Sequence, residues 1–252
     1  MSATPVLQTE GLSRRFGGLH AVSDVSFSVP EGQVLGVIGP NGAGKSTFIN
    51  LVTGHIKPTS GRVLIGGTDL TGARPWTIAR AGVARTFQIV KPFRGMTVRE
   101  NVAVGILYGP HGVRRMSQAR RDADEVLEEV GLAHLGERAP GELSVADARR
   151  LEFAKALALR PRLLLLDEVM AGLRHNEIGP SLELIGRLKA RGITIIVVEH
   201  VMRAILAISD RVLVLNQGKV LTSGDPREVL SDPRVVEAYL GHRYAQRREG
   251  RS

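Results

Sequence analysis

Runs of apolar residues predict strands at both ends of the chain. The segment DVSFSV (24–29) alternates apolar and polar residues as a half-buried strand does, whereas VLGVIG (34–39) is a short continuous apolar run. Further along, the strand-like segments are RLLLLDE (162–168), ITIIVVEH (193–200) and RVLVLNQGKVL (211–221), with helical stretches between them. This alternation is typical of parallel strands joined by crossover helices, beside a smaller antiparallel part.

Helical spacing is clearest in the middle of the chain. Apolar residues recur every three or four positions from Ala123 to Val130 and Gly131 follows, which predicts an amphipathic helix over 117–130. Near the end, DPREVL and DPRVVEAYL each place Asp at a cap position and Pro at the first helical position, which predicts two short helices. A hairpin turn is predicted at 216–218. The fold class is therefore α/β with a helical insertion.

A glycine-rich turn follows the buried strand at 34–38 and precedes an amphipathic helix. Its residues fit the spacing G-x-x-x-x-G-K-[ST], in which successive backbone N–H groups point at phosphate oxygens. The following helix adds the positive end of its dipole, Lys45 a point charge and Ser46 a Mg²⁺ ligand. The nucleotide-binding residues predicted from this turn are Gly39, Pro40, Asn41, Gly42, Ala43, Gly44, Lys45, Ser46 and Thr47.

Two acids and a histidine stand at the ends of buried strands. A carboxylate at the end of an apolar strand needs a partner, so Asp167 is predicted to hold Mg²⁺ through water and Glu168 to act as a general base. A strand end that meets solvent would explain one acid but explains two poorly. His200 ends another buried strand on the same side of the sheet and is predicted to contact a γ-phosphate, although a single histidine is more often structural.

Composition adds few restrictions. The 252 residues contain no cysteine, which excludes disulfides and thiolate metal sites, and no apolar run approaches the roughly 18 residues of a membrane span. The net charge of +9 suits a phosphate-rich partner, either nucleic acid or an inner membrane leaflet, but 4% aromatic residues argue against stacking on single strands. The tail GHRYAQRREGRS carries four arginines; it is either a solvated terminus or a membrane-surface contact.

From about Leu7 to Leu240 these residues resemble the nucleotide-binding subunits of ABC transporters. The resemblance implies that Phe16 stacks on adenine, that Gln88 is the Q-loop glutamine with a metal-binding and catalytic role, and that His200 is the switch histidine. It also implies that Gly39 to Thr47 are the Walker A motif and that Asp167 and Glu168 are the Walker B pair. ATP and Mg²⁺ are the cofactors that this family uses.

The resemblance also implies an organisation. A single domain at 5–241 would have a RecA-like P-loop core at about 5–88 and 160–241, which includes an antiparallel β subdomain, and a helical subdomain at about 89–159. A basic tail would occupy 242–252.

More narrowly, two stretches resemble the ATPase subunits of branched-chain amino acid importers: RTFQIVKPFRGMTVRENV and the ending VLNQGKVLTSGDPREVLSDPRVVEAYLG. The implied partners are membrane permease subunits, a second ATPase subunit and, indirectly, a periplasmic or lipid-anchored solute-binding protein, with no nucleic acid. The implied location is the cytoplasmic face of the inner membrane, as a peripheral subunit. Residues 88–102 would dock on a membrane subunit through an apolar groove that includes Phe93 and Met96, unless these two are simply core residues.

The chain departs from the family pattern in the signature segment, with which one subunit covers the ATP that is bound to the other subunit. LSVAD (143–147) stands in place of LSGGQ, so Ser144 is kept for the partner's γ-phosphate while Val145 introduces a bulky side chain. A carboxylate at Asp147, about 8 Å from a phosphate, would cost roughly 2 kcal/mol. Alternatively Asp147 turns back to the N–H of Ser144 as a capping box. Arg174, in MAGLRHN, replaces the usual Asp or Asn.

These departures predict that the chain's own ATP site is intact, whereas the signature that it contributes to the partner's ATP site is altered. This difference favours a heterodimer over a homodimer. Two other functions stay open: a regulatory or weakly hydrolysing nucleotide-binding subunit, and a soluble ABC ATPase that acts on nucleic acid, although such proteins usually contain two ATPase halves. A small-molecule P-loop kinase would leave Gln88, His200 and the importer-like ending unexplained.

Overall fold

The computed structural model describes residues 4–87, 90–110, 112–113, 115–170 and 175–240. Gln88, Arg174 and the tail at 242–252, on which predictions were placed, lie outside the described residues. The strands are β1 (Leu7–Phe16), β2 (Leu19–Val29), β3 (Val34–Ile38), β4 (Ser60–Ile65), β5 (Thr68–Asp69), β6 (Val83–Arg85), β7 (Leu163–Asp167), β8 (Thr194–Val198), β9 (Arg211–Asn216) and β10 (Lys219–Gly224). The helices are α1 (Lys45–Val52), α2 (Pro75–Arg80), α3 (Val98–Tyr108), α4 (Met116–Glu129), α5 (Val145–Leu157), α6 (His175–Ala190), α7 (Met202–Ile208), α8 (Pro226–Ser231) and α9 (Pro233–Leu240).

The strands form two sheets. The larger has the order β10-β9-β3-β8-β7-β6, with parallel pairing throughout except for the antiparallel edge strand β10. The smaller is antiparallel, in the order β2-β1-β4-β5. Every residue of β3, β7 and β8 is buried, which explains why these strands are continuous apolar runs rather than alternating ones. The predicted combination of a parallel core and an antiparallel part is confirmed.

The larger sheet separates two hydrophobic cores, as the alternation of side chains along β8 shows. Ile195 and Val197 belong to a core that also contains residues of α3, α4 and α5. Ile196 and Val198, which point to the opposite face, belong to a core with α1 and the antiparallel sheet. The sheet therefore lies between the helical part and the antiparallel part, and the carboxyl ends of its parallel strands form one common edge.

The helical part consists mainly of α3, α4 and α5, which pack on one another. Helix α3 begins with a complete capping box, in which the Thr97 side chain accepts from the Glu100 N–H and the Glu100 carboxylate accepts from the Thr97 N–H. Helix α4 matches the predicted amphipathic helix within one residue at each end. The ion pair between Arg191 and Glu129 links α4 to the segment that follows α6. No described helix is long and apolar enough to cross a membrane.

The end of the chain follows the predictions closely. Strands β9 and β10 form the expected hairpin, whose turn residues Gln217 and Gly218 have φ values of 48° and 77°. Helices α8 and α9 begin at the predicted prolines, and the Asp225 carboxylate accepts hydrogen bonds from the first turn of α8. Strand β1 and helix α2 were not predicted. The pairing of β1 is irregular, since its register shifts between Thr9 and Leu12, and this obscures the period of two.

Candidate functional site

The predicted phosphate-binding turn joins β3 to α1, with β3 ending at Ile38 and α1 beginning at Lys45. Glycine is required at both ends of this turn for steric reasons. A Cβ atom on Gly39 would lie 2.2 Å from the carbonyl oxygen of Leu215, and one on Gly44 would lie 2.3 Å from that of Ala21. The turn therefore packs directly against the backbone of its neighbours, and a side chain at either glycine would push it away from them.

Lys45 lies over the turn rather than in solvent. Its ammonium group donates to the carbonyl oxygens of Gly39 at 2.6 Å and Pro40 at 3.1 Å. Burial lowers the pKa of Lys45, while the negative charges of Glu168 and Asp167 act in the opposite direction. Lys45 also lines the cavity described below, so this cation is placed to meet a phosphate bound there.

An open cavity of about 720 Å³ lies against this turn. Its lining brings together most of the predicted nucleotide-site residues from four parts of the chain: Phe16, Asn41, Gly42, Ala43, Gly44, Lys45, Ser46, Thr47, Glu168 and His200. Gly39 and Pro40 are not among the lining residues, but their carbonyl oxygens contact Lys45, which lines the cavity. Its volume is in the range of small-molecule and cofactor sites.

Phe16 lies at the end of β1 and forms one wall of the cavity. Phe16 is 43% exposed, so its ring is accessible to a ligand bound in the cavity. The Arg14 guanidinium lies 4.6 Å from the ring centroid and so contacts the same ring. The position fits the expected stacking on adenine, which the structure leaves as a prediction.

The predicted general base and switch histidine are in contact. His200 Nε2 lies 2.7 Å from Glu168 Oε1. Glu168 follows β7 with a φ of 51°, a conformation that non-glycine residues rarely adopt, and its N–H donates to the Val198 carbonyl at 2.9 Å. Backbone strain of this kind is concentrated at functional sites. The two side chains form one unit at the carboxyl edge of the sheet.

Asp167 is held by a cation that the sequence did not single out. Its Oδ2 accepts from Arg85 Nη2 at 2.8 Å, and both side chains are about nine-tenths buried. Arg85 also donates to Asn50 Oδ1 at 2.6 Å, so it links β7 to α1. The contacts described use only one oxygen of Asp167. Ser46 lines the cavity, whereas Asp167 is not among its lining residues. The Asp167 carboxylate and the Ser46 hydroxyl are oxygen donors of the kind that Mg²⁺ takes when it is also bound to a nucleotide.

Glu199 is a second residue that the sequence analysis missed. Its carboxylate is 1% exposed and accepts from the backbone N–H of Met170 at 2.7 Å and from that of His200. Burial raises its pKa. Met170 follows Glu168 by two residues, so Glu199 ties the segment that carries the acid to the segment that carries the histidine. A carboxylate directly before His200, at the end of a fully apolar strand, was the signal that could have revealed it.

For the predicted ATPase activity, replacing Glu199 with alanine is expected to lower kcat by about tenfold to 100-fold, because it releases both segments that carry the predicted base and histidine. The dissociation constant for ATP, whose predicted contacts are with the turn and Lys45, is expected to change little. Steady-state phosphate release and nucleotide titration measure the two quantities separately. Glu183→Ala, at an exposed position of α6, is the control. Equal losses in kcat and in affinity would argue against this positioning role.

Ser144 lies at the N-cap of α5 and does not line the cavity. The predicted capping box is wrong in one half. The Ser144 hydroxyl accepts from the Asp147 N–H at 3.1 Å as expected, but the Asp147 carboxylate accepts from the Ser144 hydroxyl, at 2.7 Å, instead of turning back to the Ser144 N–H. The carboxylate also pairs with Arg150 at 3.4 Å. Val145 is 70% exposed.

Comparisons with known proteins agree with this geometry. The family model described as ABC transporter matches residues 22–171, and one described as branched-chain amino acid ATP-binding cassette transporter matches residues 219–245. The chain is 40% identical over 250 residues to the high-affinity branched-chain amino acid transport ATP-binding protein BraF of Pseudomonas aeruginosa, with 94% of this chain and 98% of that protein covered. It is 41% identical over 250 residues to LivG of Escherichia coli, with the same coverage.

Solved structures agree as well. A nucleotide-free ATP-binding cassette from an ABC transporter superimposes with a TM-score of 0.85 at 34% identity, covering 94% of this chain and 100% of that one. The ADP conformation of an ATP-binding cassette gives the same TM-score and identity, covering 94% and 99%. The fold, the nucleotide cavity and the similarity over nearly the whole length together show that the chain belongs to the ABC transporter family, as one of its ATP-binding cassettes.

Proposed function

We propose that the chain binds and hydrolyses ATP to energise the uptake of a branched-chain or similar amino acid through separate membrane subunits. One observation carries the proposal: the cavity joins a complete phosphate-binding turn to a hydrogen-bonded glutamate and histidine. The end-to-end similarity to proteins named as branched-chain amino acid transport ATP-binding proteins supports the choice of solute. Because the solute would not touch this chain, its chemistry rests on that similarity alone.

In this proposal the residues of the turn bind the nucleotide. The amides between Asn41 and Thr47 and the Lys45 ammonium bind the phosphates, and Phe16 stacks on the adenine. Ser46 and Asp167 would hold Mg²⁺, which when bound neutralises charge on the phosphate oxygens. Arg85 fixes the direction of the Asp167 carboxylate by its ion pair.

Glu168 would accept the proton of the attacking water. His200, whose Nε2 contacts the same carboxylate, fixes the direction of that carboxylate and offers a polar group toward the γ-phosphate. Gln88, expected to sense the γ-phosphate and to contribute to the metal site, lies outside the described residues, so its role stays a prediction. Loss of the γ-phosphate removes contacts made only in the closed state, which shifts the population toward the open state.

The altered signature supports a heterodimer. The Ser144 hydroxyl donates its single proton to Asp147, so it cannot donate to a partner's phosphate at the same time. The exposed Val145 side chain occupies the next position, where the family usually has glycine. We therefore propose that this chain pairs with a second ATPase subunit whose own signature closes over Lys45. The site that this chain completes for its partner would then be the weaker of the two.

Asp147→Asn is expected to raise ATP turnover of the assembled transporter about threefold to tenfold. Removing a charge about 8 Å from a phosphate is worth roughly 2 kcal/mol before screening by solvent reduces it. The Ser144 hydroxyl can still accept from the backbone N–H of residue 147, so the N-cap of α5 is retained. Phosphate release from wild type and variant measures the effect, with Glu125→Gln on α4 as the control. A decrease would show that the carboxylate itself supports closure.

The docking surface for a membrane subunit is proposed at the segment before α3. Phe93 and Met96 are 49% and 39% exposed, so the alternative that they are buried core residues does not hold. Asn101, which is buried, binds the backbone of Phe93, Met96 and Thr97 and thereby holds the segment in shape. An apolar surface fixed in this way suits a permease subunit at the cytoplasmic face of the inner membrane. The solute-binding protein would act on the permease and so only indirectly on this chain.

A regulatory subunit with little hydrolysis is the second candidate function, favoured by the bond between Ser144 and Asp147. The two functions differ in the ATP turnover of this chain's own site when the membrane subunits are present. Phosphate release that depends on Glu168 supports the ATPase, whereas ATP binding without such release supports the regulatory subunit. Binding to nucleic acid at moderate salt would instead support a soluble ATPase acting there.

A further inference from the structure

The C-terminal helix contacts the start of the phosphate-binding turn. The backbone N–H of Gly39 donates to the Tyr239 hydroxyl at 2.6 Å, and the two residues are 200 positions apart in the chain. Tyr239 belongs to α9, which follows the last strand of the sheet. Nothing in the motif at residues 39–47 points to a partner so far along the sequence.

Gly39 connects this contact to the phosphate-binding cation. Its N–H is held by Tyr239, and its carbonyl oxygen accepts from the Lys45 ammonium at 2.6 Å. Both polar groups of Gly39 are thus used, one by the helix and one by the lysine. Because β3 ends at Ile38, the Gly39 N–H lies beyond the strand, and the Tyr239 hydroxyl provides the partner that a buried amide needs.

Helix α9 is well docked at the point where it makes this contact. Val235 is 2% exposed, and the Tyr239 ring packs on the core that contains β9 and the helical part. Burial raises the pKa of the Tyr239 phenol, so its hydroxyl stays neutral and can accept from the amide. The helix lies within residues 219–245, which match the branched-chain amino acid cassette model but lie outside the general ABC transporter match.

We propose that Tyr239 is a positioning residue for nucleotide binding: it fixes Gly39, and through Gly39 the Lys45 ammonium, and so couples the docking of α9 to the occupancy of the phosphate-binding turn. This inference rests on the proposed function of the turn. Coupling of this kind is reciprocal, so nucleotide binding stabilises the docking of α9 by the same factor by which docking strengthens nucleotide binding. The C-terminal helix thereby becomes a place from which nucleotide affinity can be adjusted.

Tyr239→Phe tests the inference, because it removes the hydroxyl and keeps the ring in the core. The dissociation constant for Mg-ADP, measured by titration calorimetry on the full chain, is expected to rise about threefold to tenfold, as the loss of one buried hydrogen bond implies. In steady-state hydrolysis the effect should fall on KM rather than on kcat. Tyr108→Phe is the matched control, since Tyr108 is 81% exposed. A Tyr239→Phe protein that binds Mg-ADP as tightly as the control would overturn the proposal.

Amide hydrogen exchange over residues 233–240 tests the reciprocal half. In the wild type, Mg-ADP is expected to slow this exchange, and in Tyr239→Phe the slowing should disappear. Slowing of equal size in both proteins would overturn the coupling even if the affinity had changed. Absence of Mg-ADP binding to the wild type would refute the proposed function of the site together with this inference, whereas unchanged binding in Tyr239→Phe refutes the inference alone.

Discussion

Replacing Glu168 with glutamine is expected to lower ATP hydrolysis by about 100-fold or more while nucleotide binding persists. The carboxylate lines the nucleotide cavity and lies 2.7 Å from His200 Nε2. Glutamine keeps the size of the side chain and one acceptor oxygen, but it cannot take a proton from water. Steady-state phosphate release and nucleotide titration on the same preparation measure the two effects.

The control for this variant is Glu183→Gln, at an exposed position of α6, which should leave both quantities unchanged. A second variant, His200→Ala, is expected to slow hydrolysis less, since it leaves the general base in place. Substantial hydrolysis by Glu168→Gln would show that another group activates the water, and the assignment of Glu168 would be wrong.

Lys45→Met is expected to weaken binding of Mg-ATP at least about tenfold, and so to lower turnover at limiting ATP. Hydrogen bonds to a charged group contribute about 1.5 to 3 kcal/mol, and the lysine is the one basic side chain among the turn residues that line the cavity. Methionine keeps an unbranched apolar side chain of similar length and removes only the ammonium group that bonds to Gly39 and Pro40. The fold should be retained, because the substitution also removes the cost of burying a charged group, the same burial that lowers the pKa of Lys45.

Nucleotide titration measures this change, and Lys57→Ala, at an exposed position after α1, is the control. A thermal melt of Lys45→Met without nucleotide should match that of the wild type to within a few degrees. Equal affinity of Lys45→Met and Lys57→Ala for Mg-ATP would contradict the assignment of the phosphate site.

Much of the fold follows from local pattern. The buried strands β3, β7 and β8 are continuous apolar runs, and α4, α8 and α9 carry a helical period or an Asp-Pro start, so their sequences already predict them. Strand β1 was missed because its register shifts near Gly11, which has a φ of 57°. The extents of the core and of the helical subdomain remain predictions.

The residues of the site also divide into those that a local motif predicts and those that it does not. The residues from Gly39 to Thr47 share one motif, so sequence placed them together, and the structure puts Asn41 to Thr47 beside Glu168 and His200 in one cavity. The supporting contacts depend on pairs far apart in the chain. Arg85 reaches Asp167 across 82 positions, and Tyr239 reaches Gly39 across 200. Such pairs leave no local pattern, which is why the sequence could not reveal them.

The orientation of a single side chain was also beyond the sequence. The spacing of Ser144 and Asp147 suits a capping box, but whether the carboxylate turns to a backbone amide or to a hydroxyl depends on rotamers and on Arg150. The difference matters because it determines whether the Ser144 proton is available to a partner's phosphate.

The central claim is that this chain's own site hydrolyses ATP within a transporter. The most direct measurement is phosphate release from the complex assembled with the membrane subunits and a second ATPase subunit in which glutamine replaces the catalytic glutamate. The account predicts continued turnover that disappears when Glu168→Gln is added to this chain. Turnover that is absent before that change, in a complex that still binds ATP, would contradict the account and make the chain a regulatory nucleotide-binding subunit.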